Sequence, residues 1–168
     1  MDLFEQAEKA LEQGDGPRAM KLYRQSADGG RVAAMHALGH CHLYGIGVEK
    51  DLDAAFQWFT TAASHGCPQG MYHLGVCNEA GWGTPRNPEK AAYWFRQSAD
   101  RGDEDSAYRL GRCYEEGIGV PVDVKEALTW YRSAAARGQE DAAARLKVLS
   151  AKEESAEEEE CDCCCCSL

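Results

Sequence analysis

The sequence predicts an all-α chain, a solenoid of antiparallel helix hairpins stacked one on the next. Three observations carry this prediction. Several residue columns recur at a fixed step of 36: Leu38-Gly39, Leu74-Gly75 and Leu110-Gly111; Ala55, Ala91 and Ala127; Trp58, Trp94 and Trp130. Each 36-residue unit holds two stretches of helical periodicity, and glycines and capping residues punctuate those stretches at constant offsets. A hairpin of two amphipathic helices cannot bury both apolar faces alone, so neighbours stack and share a core.

Residues 1–30 form a variant first hairpin. Ala19, Tyr23, Ala27 and Gly30 stand one step before Ala55, Phe59, Ala63 and Gly66, while Gly14-Asp15-Gly16-Pro17 makes a shorter turn. Three full units follow, over 31–66, 67–102 and 103–138. In the first, helices are expected from about Ala33 to Tyr44 and from about Leu52 to His65. Asp51, Asn87 and Asp123 stand where an N-cap oxygen is needed, and Pro88 takes a first helical position that needs no N–H. Gly66, Gly102 and Gly138 suit left-handed C-caps, preceded by the basic groups His65, Arg101 and Arg137. Between the helices lie Gly45-Ile46-Gly47, Gly81-Trp82-Gly83 and Gly117-Ile118-Gly119. No strand precedes these loops and no Gly-Lys-Ser/Thr follows, so they read as tight turns at positive φ instead of phosphate cradles. Residues 139–152 repeat the first helix only, with Lys147 replacing the recurrent glycine, as suits a terminal capping helix. Residues 153–168 hold seven acids, five cysteines and no base, and read as a disordered, solvated tail.

Composition narrows the function classes. Apolar residues make up 44% of the chain, enough for a packed core. Of the net charge of −10, the tail accounts for most; the first 152 residues carry 21 acids against 18 bases. No basic stripe is available to neutralise phosphates, which argues against nucleic acid as a partner. No apolar run reaches the length of a membrane-spanning helix, and Met1-Asp2-Leu3-Phe4-Glu5 lacks the order of a secretory leader, so a cytoplasmic location is expected. Trp58, Trp94 and Trp130, with Phe59, Phe95 and Tyr131, are expected to fill the stack between layers. Cys41, Cys77 and Cys113 share one column and read as small buried apolar groups.

The strings Leu38-Gly39…Gly45-Ile46-Gly47-Val48…Asp51…Ala55…Trp58-Phe59…Ala62-Ala63…Gly66 and Leu110-Gly111…Gly117-Ile118-Gly119-Val120…Asp123…Ala127…Trp130-Tyr131…Ala134-Ala135…Gly138 resemble Sel-1-like repeats, relatives of tetratricopeptide repeats. The middle unit fits with Asn87 for Asp and Thr84 for Val, and Ala7 to Ala27 looks more like a plain tetratricopeptide hairpin. The resemblance covers roughly residues 5 to 149. It implies a right-handed superhelix and adaptor or scaffold activity. Some secreted bacterial members staple each unit with a cysteine pair, but here each unit lacks the second cysteine.

A tetratricopeptide register implies that the first helices line a concave groove. Its walls would be Ala33, His36, His40, Leu43 and Tyr44, then Gln69, Tyr72, Val76 and Glu79, then Asp105, Tyr108, Arg112 and Glu115. These positions vary from unit to unit, as a partner-specific surface should, and Tyr72, Tyr108 and Arg112 are the expected anchors. The leading expectation is therefore a non-catalytic adaptor that binds a partner peptide or helix without a cofactor. No nucleophile has a base and an orienting acid on a recognisable motif.

Two other chemistries stay open. His36 and His40 lie four apart, the geometry of a metal pair, but their helix offers no acidic third ligand, and Glu79 or His73 would have to come from the next unit. The tail thiols could also hold Cu or Zn. The same cluster could be lipidated, with Cys165 at a prenylation position and Cys163, Cys164 and Cys166 as further acylation candidates, tethering the protein to a membrane.

Overall fold

The 36-residue step takes form as helix hairpins. They are α1 (Leu3–Glu12) with α2 (Gly16–Asp28), α3 (Val32–Tyr44) with α4 (Leu52–Ser64), α5 (Pro68–Ala80) with α6 (Pro88–Ala99), and α7 (Glu104–Glu116) with α8 (Val124–Ala136). The computed structural model describes residues 1–151, and a further helix, α9 (140–151), closes that span. The described residues contain no strand. The acidic tail, with Cys163, Cys164, Cys165 and Cys166, lies outside the described residues. From α1 to α8, each helix packs on the one before and the one after it.

The helices begin and end where the local chemistry directs. A side-chain oxygen of Asp51, Asn87 and Asp123 accepts the backbone N–H of Ala54 at 2.9 Å, Lys90 at 2.9 Å and Glu126 at 3.1 Å. The second helices close in paired 5→2 and 6→1 bonds: Gly66 N–H donates to the Ala63 carbonyl and Cys67 N–H to the Ala62 carbonyl, a pattern repeated at Gly102 and Gly138. Gly45, Gly81 and Gly117 end the first helices at φ of 72°, 78° and 71°.

The second glycine of each loop has a further role that positive φ alone does not express. A Cβ on Gly83 would lie 2.3 Å from the Leu52 carbonyl oxygen, and one on Gly119 would lie 2.1 Å from that of Pro88. Each loop therefore rests its bare backbone on the start of the preceding hairpin's second helix. Gly47 does the same against Gly16.

Inside each hairpin one aromatic ring fills the space between the helices. Phe59, Phe95 and Tyr131 are fully buried. They sit over Gly39, Gly75 and Gly111, where a Cβ would come within 2.4, 2.4 and 2.7 Å of the ring. The tryptophans depart from expectation. Trp58, Trp94 and Trp130 are half-buried, and they pack against core clusters from outside the hairpin centre. Adjacent helix positions point about 100° apart, so only one of two neighbouring aromatics can face the hairpin axis. The other lies at its flank. Cys41, Cys77 and Cys113 are buried as free thiols, and burial pushes each thiol up to about 11. They behave as the apolar groups the sequence suggested.

Candidate functional site

The first helices α1, α3 and α5 carry an open cavity of about 700 Å³. Its floor comes from α3, whose Ala33, His36, Ala37 and His40 follow the i, i+3, i+4, i+7 spacing of one helix face. Phe4, Leu11 and Tyr23 form an apolar wall on one side, and Cys67 and Gln69 the other. The Tyr23 hydroxyl donates to Glu8 at the cavity edge.

Three of the expected groove residues form a regular column. His36, Tyr72 and Tyr108 stand one step apart, and each ring leans on the buried aromatic of its own hairpin. The centroid distances are 5.9 Å to Phe59, 6.0 Å to Phe95 and 5.8 Å to Tyr131. Tyr72 and Tyr108 are thus half-buried props of the core. Tyr44 is exposed, at 64%, and stacks on His40. Val76 packs against the cluster around Phe95 and Leu110. Leu43 does not belong to the groove: it is buried with Ala55, Phe59 and Met71, because its column faces the hairpin seam.

The charged members are engaged within the chain. Arg112 holds Glu116 on the same helix by donating from Nε and Nη2 to its carboxylate. Glu79 accepts from Arg109 at 2.8 Å. Glu115 accepts from Tyr131 at 2.7 Å and from Arg145 on α9. Asp105 accepts from Gln139. Arg109 and Arg145 belong to a column absent from the expected groove: Ala37, His73, Arg109 and Arg145, each just before the position of the recurrent leucine. The residues in this column from the second unit on reach back from one first helix to its predecessor. The repeat step itself contained this signal, since all four residues lie 36 apart.

In the seam between α3 and α5 the crossing residue is His73. Its ring lies 4.4 Å from that of His40 and 5.2 Å from that of His36, and it stacks flat on Phe59 at 4.6 Å and 18°. The Nε2 atoms of His36 and His40 are 3.2 Å apart. One ligating nitrogen from each of the three rings falls within 4.8 Å of the others. Burial, reinforced by His40, lowers His36 to about 4; burial, then His40 and His36, lowers His73 to about 3; burial lowers His40 as well. All three imidazoles are neutral at physiological pH, with lone pairs available. Of the two third ligands the sequence offered, His73 joins the pair, and Glu79 goes to Arg109.

Comparison with known proteins places this geometry among relatives. The Sel1 repeat profile matches residues 4–30, 32–67, 68–103 and 104–139, so it includes the first hairpin as well as the three full units. A Sel1 repeat protein from Oxalobacter formigenes shares 30% identity and a TM-score of 0.82 over 88% of this chain. A protective antigen of uropathogenic Escherichia coli strains, displaying an SLR fold, shares 32% identity and a TM-score of 0.75 over 79%. The chain spans 59% of the first of these proteins and 28% of the second. Cysteine rich protein B of Helicobacter pylori, at 22% identity and a TM-score of 0.59 over 84% of this chain and 95% of its own, shares the fold. No curated protein matches the chain.

Proposed function

This chain belongs to the Sel1 repeat family, and from that premise we propose that it is a non-catalytic adaptor whose first-helix groove holds a helix or peptide of a partner protein. Sel1 repeat proteins generally mediate protein–protein interaction. The observation that carries the reading here is the cavity of about 700 Å³ on α3, apolar along Phe4, Leu11 and Ala37 and polar at His36, His40 and Gln69. A binding site for a side chain from a partner needs this combination: apolar wall for affinity, a few polar groups for orientation. The wide, open shape favours an inserted segment over an enclosed small molecule.

Ala33 gives the cleanest test, because it is exposed at the cavity and supports no core ring. Affinity capture with the full chain should lose its specific interactors on Ala33→Trp, which fills the groove, and keep them on Gln57→Trp, an exposed position on α4. Identical interactors with both variants would remove the groove from the proposal. The cytoplasmic, membrane-tethered form of this reading depends on Cys163, Cys164, Cys165 and Cys166, outside the described residues. Intact mass of the chain from a eukaryotic host should carry added lipid; an unmodified mass removes the tether and leaves the groove reading standing. Among the described residues, no helix is long and apolar enough to cross a membrane.

A further inference from the structure

The geometry points to a transition-metal site at His36, His40 and His73, a three-imidazole centre that takes Zn²⁺ with its fourth position open to the cavity. His36 and His40 stand one helical turn apart on α3 and present Nε2 atoms 3.2 Å apart. Two nitrogens bound at about 2.0–2.1 Å on a tetrahedral ion stand about 3.3 Å apart, so this pair already spans one edge of a zinc site. His73 arrives from α5 and completes the face, with all three donor atoms within 4.8 Å. Small rotations of half-buried rings close the remaining gap. Neutral imidazole is a donor suited to zinc, copper and nickel, and three of them leave the fourth tetrahedral position to water or another ligand.

The scaffold does not require this cluster. The chain has five histidines, and three of them meet here. They come from three different repeat columns, whose other members are Tyr72, Tyr108 and Ala144, then Val76, Arg112 and Val148, then Ala37, Arg109 and Arg145. Only where those columns converge between α3 and α5 do all three hold histidine. Phe59, stacked flat on His73, sets the plane of that ring and leaves it free to turn within the plane. His36 and His40 also line the cavity, so an ion reaches the site without opening the core. The site stands whether or not the groove holds a partner, since it needs no atom from outside the chain.

The tail cysteines are a second candidate ligand set in the same sample, so the test is a difference. Chelator-treated full-length protein, His40→Gln and His73→Gln are dialysed against Zn²⁺ and their bound metal is counted. The wild type should retain one equivalent more than either variant, and equal stoichiometry in all three overturns the site. Histidine ring NMR on the wild type gives a second reading that stands even if a variant fails to fold. Zinc should shift the signals of His36, His40 and His73 and leave His65 in place; unmoved signals from the three overturn the site.

Discussion

Between α5 and α7, Arg109 reaches back to Glu79; between α3 and α5, His73 in the same column reaches back to two imidazoles. The seam between α7 and α9 repeats the first solution, with Arg145 on Glu115. The difference follows from the residue that waits on the other side. Glu79 and Glu115 share a column whose first member is Leu43, and Leu43 is buried against Phe59. An arginine at position 73 would meet no acid at that place. A neutral ring can cross there instead, and it finds Phe59, His36 and His40.

The energies explain why one scaffold tolerates both solutions. A partly exposed ion pair contributes about 0.2–1 kcal/mol after solvent screening, and an aromatic pair adds about 0.5–1.5 kcal/mol. Removing one core aromatic costs about 3–5 kcal/mol. The ring inside each hairpin dominates, so the crossing residues are free to change chemistry without endangering the fold. Variation in the seam is where a repeat protein can place a site.

Four measurements break or sharpen this comparison. Phe59→Ala and Phe95→Ala should each destabilise the protein by about 3–5 kcal/mol in urea unfolding, but only Phe59→Ala should also move the His73 ring signals. If His73 is indifferent to Phe59, the first seam is not organised as described. Next, Gly39→Ala and Gly75→Ala should each destabilise by about 1–3 kcal/mol. Helix propensity alone favours alanine by about 1 kcal/mol, but a Cβ 2.4 Å from a fully buried ring outweighs that gain. A stabilised Gly39→Ala would mark the hairpin that carries the histidines as looser than its neighbour.

Asp51→Ala and Asn87→Ala remove equivalent caps from α4 and α6 and should each cost about 1 kcal/mol, which makes them the internal standard for the two units. Unequal losses would mean the units differ in more than their seams. The smallest effect separates the seams by salt. A double-mutant cycle on Glu79 and Arg109 should give a coupling of about 0.5 kcal/mol that shrinks as ionic strength rises. A cycle on Phe59 and His73, run in chelator near neutral pH, should give a coupling that salt leaves unchanged. Equal salt sensitivity in both cycles would erase the distinction.

Much of this molecule was legible from residue types at a 36-residue step. The helix boundaries, the caps at Asp51, Asn87 and Asp123, the left-handed glycines and the buried Phe59, Phe95 and Tyr131 all follow from chemistry acting within one hairpin, where sequence spacing fixes direction. The site was legible in part. His36 and His40 line the cavity, while Tyr72 and Tyr108 lean on core rings, Leu43 turned inward, the tryptophans moved to the flank, and Glu79 and Glu115 found partners in the next unit. The sequence by itself determined which residues repeat and where the helices begin and end. Only the tertiary structure decided which columns meet across a seam, because that depends on the rotation and offset between successive hairpins, set by Gly83 resting on Leu52 and Gly119 on Pro88. That rotation brings His73 to His36 and His40, and no spacing within a single unit encodes it.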